Sequence, residues 1–118
     1  VAESKNYIEE RPWGSFEILF EENDLKVKRI VVKPEKRLSL QSHRFRSENW
    51  VIIQGRALVT LDERQIPLTV HESVFIPCGA KHRIGNAGTE EVVFIEVQTG
   101  SYLGEDDIVR YQDDFLRK

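Results

Sequence analysis

An all-β barrel or sandwich is the fold class that this sequence predicts, and two observations predict it. The first is a series of short blocks rich in β-branched and aromatic residues, at 15–20, 26–33, 50–54, 57–61, 66–70, 74–76 and 92–98. The second is the turn-forming punctuation between them, at Asn23-Asp24, Pro34, Gly55, Asp62-Glu63, Pro77-Cys78-Gly79, Gly85-Asn86 and Gly88. Short strands separated by frequent turn signals build sandwiches and barrels. A chain of 118 residues is large enough for a single core and too small for two.

Taken in order, residues 1–10 are polar and expected to be extended or disordered at the start. Arg11-Pro12-Trp13-Gly14 forms a turn-like unit that delivers the chain into the strand at 15–20. A second strand follows over 26–33 and ends at Pro34, which lacks the N–H that a ladder requires. Within Gln41–Gly55, positions 41 and 43 fall on one face of a strand, because side chains alternate with period two. The apolar run Trp50–Ile53 continues the strand, and Gly55 must turn it. The segment 57–70 reads as a hairpin, ALVTL then IPLTV around the polar tip DERQ. Pro77 and Gly79 build a tight turn, and His82 stands at the start of the next strand. After Gly104 the character changes. Acids open EDDIVRYQDDFLRK, basic residues close it, and Ile108, Tyr111 and Phe115 recur at helical spacing, which predicts a short C-terminal helix.

Composition excludes several classes of function. Hydrophobic residues make up 40% and charged residues 31%, as in ordinary globular proteins. A net charge of −3, with Lys and Arg scattered and no aromatic platform among them, argues against nucleic acid or an anionic membrane as partner. No apolar run reaches the roughly 18 residues of a membrane span. VAESKNY lacks a signal-peptide core, and the single cysteine, Cys78, rules out an intrachain disulfide; a cytoplasmic location is therefore expected.

The chemistry is concentrated in Gln41, His43 and Glu48. One imidazole, one carboxylate and one amide oxygen form an N/O set suited to a divalent metal, and His82 offers a fourth ligand. A lone histidine on a strand is more often a satisfied core or surface group, so the weight lies on the joint pattern. His71 reads as a solvated turn residue, Cys78 as a small buried filler, and Trp50 and Phe94 as core. Glu96, in step with Phe94 and Gln98 on the strand VVFIEVQ, is an acid among apolar residues and the candidate base. Arg110 and Lys33 are the other candidate catalytic groups, Arg110 as a cation for the transition state. Arg46, Lys81 and Arg83 are candidates for a phosphate, with Lys33 an additional one.

The two blocks resemble the motifs of the cupin superfamily. Gln41 stands where a first histidine is usual, His43 at the second, Glu48 at the acid and Gly55 at the closing glycine. Pro77-x-Gly79, His82 and Asn86 match the second motif. The glycines that usually lead each motif are replaced by Glu35 and His71, which puts local turn geometry in question. More narrowly, RPWGSFE, LKVKRIVVKPEKRLSLQSHRFRSENWVIIQGRA, SVFIPCGAKHRIGN and IEVQTGSYLGEDDIVRYQDDF are similar to the type II phosphomannose isomerase domain. That domain occurs alone or as the C-terminal part of bifunctional mannose-1-phosphate guanylyltransferase/mannose-6-phosphate isomerases. The family commonly has HHHRAEHW where this chain has HRFRSENW, so Arg44, Phe45 and Asn49 replace histidines; it has YGR where this chain has FLR.

The resemblance implies a single cupin domain over 1–118, a double-stranded β-helix or jelly-roll barrel over about 11–103 with a short C-terminal helix in 104–118. It implies interconversion of mannose 6-phosphate and fructose 6-phosphate with one divalent ion, zinc first and manganese, cobalt or nickel as alternatives, held by Gln41, His43, Glu48 and His82. A homodimer formed through the N-terminal strand and one sheet face is expected. Guanylyl transfer is not expected of these residues, which lack the Gly-rich nucleotide loop. A non-catalytic sugar- or sugar-nucleotide-binding cupin and a metal-dependent cupin oxygenase or lyase are the competing readings.

Overall fold

The computed structural model of the protein describes residues 6–116. The chain forms β1 (Ile8–Arg11), β2 (Gly14–Glu21), β3 (Leu25–Val32), β4 (Leu40–Ser42), β5 (Arg46–Gln54), β6 (Ala57–Leu61), β7 (Arg64–Leu68), β8 (Ser73–Ile76), β9 (His82–Asn86), β10 (Val92–Gly100) and β11 (Val109–Gln112). They make two sheets, a six-stranded one in the order β1-β2-β3-β10-β5-β8 and a five-stranded one in the order β11-β4-β9-β6-β7. The all-β expectation holds. The hairpin expected over 57–70 is β6–β7, with Leu61 opposite Arg64 across a two-residue turn, shorter than the tip DERQ suggested.

The inner face of the six-stranded sheet positions the site. Period-two alternation puts Ile30, Phe94 and Ile52 side by side on β3, β10 and β5. The next inward row is Lys28, Glu96 and Trp50, and the next is Lys26, Gln98 and Glu48. All nine are buried. The sheet therefore passes from hydrocarbon to charge within three rows. The apolar end packs with Val32, Val59, Ile76 and Ile84 from both sheets; each such side chain contributes about 1.5–3 kcal/mol on burial. Gly55 makes the turn after β5 at φ 87°, where a Cβ would lie 2.6 Å from the Glu91 carbonyl oxygen.

Two expectations are corrected. The short C-terminal helix does not form, and no helix occurs among the described residues. Instead β11 pairs with β4, Arg110 opposite Gln41 and Val109 opposite Ser42. The tail's acids do not open a helix: Asp107 accepts hydrogen bonds from the backbone N–H groups of Arg44 and Phe45, each at 2.9 Å. Tyr111 and Ser42 join hydroxyls at 2.9 Å. The open edge of β4 thus supplies the partner that an isolated helical turn would lack. Cys78 is exposed rather than buried, its thiol donating to the Arg44 carbonyl at 2.8 Å. Residues 1–5 of the expected extended start, and 117–118 of the expected helix, lie outside the described residues.

Glu35 and His71, at the positions where the motifs usually begin with glycine, adopt φ 66° and φ 75°. The left-handed turn survives without glycine. That conformation costs an L-residue about 1–2 kcal/mol, against roughly 0.5–1 kcal/mol of chain entropy that glycine adds to the unfolded state. His71→Gly and Glu35→Gly are therefore expected to stabilise the fold by about 0.5–1 kcal/mol each, read by urea denaturation. A loss of stability in both would contradict this account of the turns.

Candidate active site

His43 lies in the corner between β4 and β5, and the tail holds that corner. His43 Nδ1 donates to the Asp107 carbonyl at 2.7 Å, while the Asp107 side chain caps the next two N–H groups. His82, the first residue of β9, donates Nδ1 to the Ala80 carbonyl at 3.0 Å. A carbonyl can only accept, so both rings carry their proton on Nδ1 and leave Nε2 unprotonated, with its lone pair as an acceptor. The two rings lie 4.9 Å apart, and ligand atoms of His43, Glu48 and His82 all fall within 4.8 Å of one another, all three residues buried. Gln41 is the backbone neighbour of His82 on one side and of Arg110 on the other, and it lines the same cleft.

Glu48 is enclosed by donors. Its Oε1 accepts from Trp50 Nε1 at 2.8 Å, and its Oε2 accepts from Arg46 Nε at 2.9 Å. The same Trp50 N–H is shared with Glu96 Oε1 at 3.0 Å, and Gln98 Nε2 donates to Glu96 Oε2 at 2.7 Å. Arg46 also donates Nη2 to His43 Nε2 at 3.1 Å. Burial, and then the Glu48 carboxylate, push Glu96 up to about 7. Burial, and then the Arg46 guanidinium, push His43 down to about 4. Burial likewise lowers His82.

This donor set fits a divalent cation. His43 Nε2 and Glu48 Oε2 face each other at 3.2 Å, two acceptors bridged by the Arg46 guanidinium. Unprotonated imidazole nitrogens fixed by carbonyls on their far side, plus one carboxylate, are what first-row divalent ions take. The surrounding cleft is lined by side chains from both sheets and from the tail.

The structure brings Gln41, His43, Arg46, Glu48, His82, Arg83, Glu96 and Arg110 to one cleft. Arg83 is occupied there, donating to the Leu38 carbonyl at 2.9 Å and the Gln112 carbonyl at 3.1 Å, so it ties β9 to the tail. Lys33 and Lys81 are exposed and do not line the cleft. Lys33 follows inward-facing Val32 and so turns out; Lys81 lies over the Tyr111 ring at 4.3 Å. Sequence reasoning missed Lys28, which donates to Glu105 at 2.5 Å and lines the cleft. It also missed Asp107 as the clamp on His43. The alternation of LKVKRIVV placed Lys28 in step with Ile30 and Val32; that was the available signal.

Comparison with known proteins gives a consistent picture. A family model described as "Mannose-6-phosphate isomerase C-terminal" matches residues 2–113. The chain is similar to the xanthan biosynthesis protein XanB of Xanthomonas campestris pv. campestris, 48% identical over 107 residues that cover 91% of this chain and 23% of that protein. It is also similar to a mannose-1-phosphate guanylyltransferase of Sinorhizobium fredii, 44% identical over 104 residues, 88% of this chain and 20% of that one. The chain thus spans under a quarter of the length of these two curated relatives. Among solved structures, an RmlC-like cupin from Shewanella frigidimarina superposes with TM-score 0.76 at 20% identity, over 86% of this chain and 88% of that one. The fold is that of the cupins.

The shifted groups set a pH dependence for the chelator-treated protein. Unfolded histidines protonate near 6.5 while the folded His43 and His82 resist until lower pH, so their contribution is present above 6.5 and lost on acidification. Glu96 works the other way: the fold keeps its proton up to about 7, whereas the unfolded chain releases it above 4.5, so its contribution fades as pH rises between those values. Two groups against one make stability fall from pH 6.5 toward 4.5. Glu96→Gln removes the opposing group and should steepen that fall by up to about 1.4 kcal/mol per pH unit. Equal slopes in urea titrations of the two proteins would contradict the assignment.

Proposed function

Because this chain belongs to the mannose-6-phosphate isomerase C-terminal family, we propose that its cleft interconverts mannose 6-phosphate and fructose 6-phosphate through an enediol. The observation that carries the proposal is a buried carboxyl poised near neutrality, Glu96, sharing the Trp50 N–H with the ligand-like Glu48. Gln41, His43, Glu48 and His82 would hold one divalent ion, which supplies a Lewis acid for the adjacent carbonyl and hydroxyl oxygens of the sugar.

Glu96 takes the proton from C2 of the aldose and returns it to C1, while the hydroxyl proton on O2 passes to O1. A base near pH 7 suits both directions, since it gives up its proton as readily as it takes it. Trp50 and Gln98 fix the carboxyl by a hydrogen bond to each of its oxygens. Arg110, set beside Gln41 by the β4–β11 pairing, offsets charge developing on the sugar oxygens. Arg11 and Lys28, which line the same cleft, add positive charge for a phosphate dianion. The homodimer belongs to this proposal as well, supported by exposed Val51, Ile53 and Phe75 on neighbouring strands β5 and β8.

The test is direct. Chelator-stripped protein reloaded with Zn²⁺, Mn²⁺, Co²⁺ or Ni²⁺ is given fructose 6-phosphate, and mannose 6-phosphate is expected with at least one ion. Glu96→Gln should retain the ion and lose about 10²–10⁴ in kcat, and His43→Ala should lose the ion and the activity together. Saturable sugar-phosphate binding without turnover would favour a binding module, oxygen consumption an oxygenase; either result, or an unimpaired His43→Ala, overturns the isomerase reading.

A further inference from the structure

The side chain that bridges two of the three clustered ligand residues is itself a cation. Arg46 is buried, with Nε on Glu48 Oε2 at 2.9 Å and Nη2 on His43 Nε2 at 3.1 Å. Those are two atoms that an incoming ion needs. The single lone pair of His43 Nε2 cannot ligate while the guanidinium holds it, and an ion on Glu48 Oε2 would repel that guanidinium, so Arg46 must leave. The other side of the cluster does not have to change: Glu48 Oε1 stays on Trp50, and both Nδ1 atoms stay on their carbonyls.

The displaced guanidinium cannot stay beside a divalent ion without a counter-charge, because two cations in a low-dielectric cleft repel. Nη1 of Arg46 is already buried without a hydrogen-bond partner, a deficit that the resting contacts leave open and that an anion would fill. The nearby carboxylates are already shared, Glu96 accepting from Trp50 and Gln98 and Glu105 held by Lys28 at 2.5 Å. An oxyanion brought in with the substrate would add the negative charge that a second cation in the cleft calls for.

We propose that Arg46 stands in for the metal ion in the metal-free protein and moves to a substrate oxyanion when the ion enters, so that cation and oxyanion binding are positively coupled through this one side chain. The inference rests on the metal site proposed above and goes beyond it by assigning the coupling. By linkage the coupling is reciprocal: whatever the oxyanion does for the ion, the ion does for the oxyanion.

The experiment measures Co²⁺ affinity of the full chain by competition with a chelator dye, with and without sulfate, a tetrahedral dianion that leaves Co²⁺ in solution. No sugar and no turnover are involved. For the wild type, sulfate is expected to tighten Co²⁺ binding about fivefold or more. Arg46→Met keeps the apolar stem and removes the competing charge. It should bind Co²⁺ at least about tenfold more tightly than wild type and respond to sulfate little or not at all. Equal or weaker Co²⁺ binding by a folded Arg46→Met overturns the stand-in role. Should that variant not fold, the wild-type measurement decides alone: no tightening by sulfate overturns the coupling. A wild type that binds no Co²⁺ at all sinks the metal reading itself, a result distinct from metal binding that ignores Arg46.

Discussion

Burying the Glu48 carboxylate, 2% exposed on the inner face of β5, obliges the barrel to surround it with donors and positive charge. Much of the cleft follows from that obligation. Trp50 turns its N–H toward the carboxylates rather than serving only as core, although its ring still packs on Phe94. Arg46 is drawn in as counter-charge. Glu96, on the neighbouring strand, then meets an anion already in place, and this together with its own burial keeps it protonated to about 7. A buried carboxylate stripped of partners would cost several kcal/mol, so these contacts are a condition of the fold as well as of any chemistry.

The site is assembled from both sheets and closed by the tail. Glu48 and Glu96 come from the six-stranded sheet, Gln41 and His82 from the five-stranded one. His43 sits where the chain passes from β4 to β5, and Asp107 fixes its ring from the far end of the sequence. β11 brings Arg110 opposite Gln41. The C-terminal segment therefore orients one histidine and delivers one arginine, two roles that a docked helix would not have given it.

Legibility in the sequence divides along physical lines. Alternation and turn residues were enough for the all-β class, the β6–β7 hairpin and the placing of Glu96 in step with Phe94 and Gln98. The resemblance to the cupin motifs grouped Gln41, His43, Glu48 and His82, and His43, Glu48 and His82 place ligand atoms within 4.8 Å of one another. What escaped was decided by contacts distant in sequence. EDDIVRYQDDF carries a helical spacing of apolar residues, yet the free edge of β4 and the N–H groups at Arg44 and Phe45 give it better partners. Lys28 carries no signal of burial beyond its alternation with Ile30; Glu105, far along the chain, makes that burial tolerable. Lys33 and Lys81 carried the right charge, but each neighbours an inward-facing residue, Val32 or His82, and alternation sends them out.

The central physical claim is that His43 and His82 are held as neutral rings with the proton on Nδ1, so that two unprotonated Nε2 atoms, that of His43 accepting from Arg46, lie with a carboxylate oxygen within 4.8 Å of one another. Nitrogen-15 correlation spectra of the metal-free protein report which ring nitrogen carries hydrogen. The account predicts the Nδ1–H form for both rings at pH 7.5, with the Nε2 resonances of both moving on addition of a diamagnetic divalent ion. An Nε2–H form for either ring, or Nε2 resonances indifferent to the ion, would contradict it.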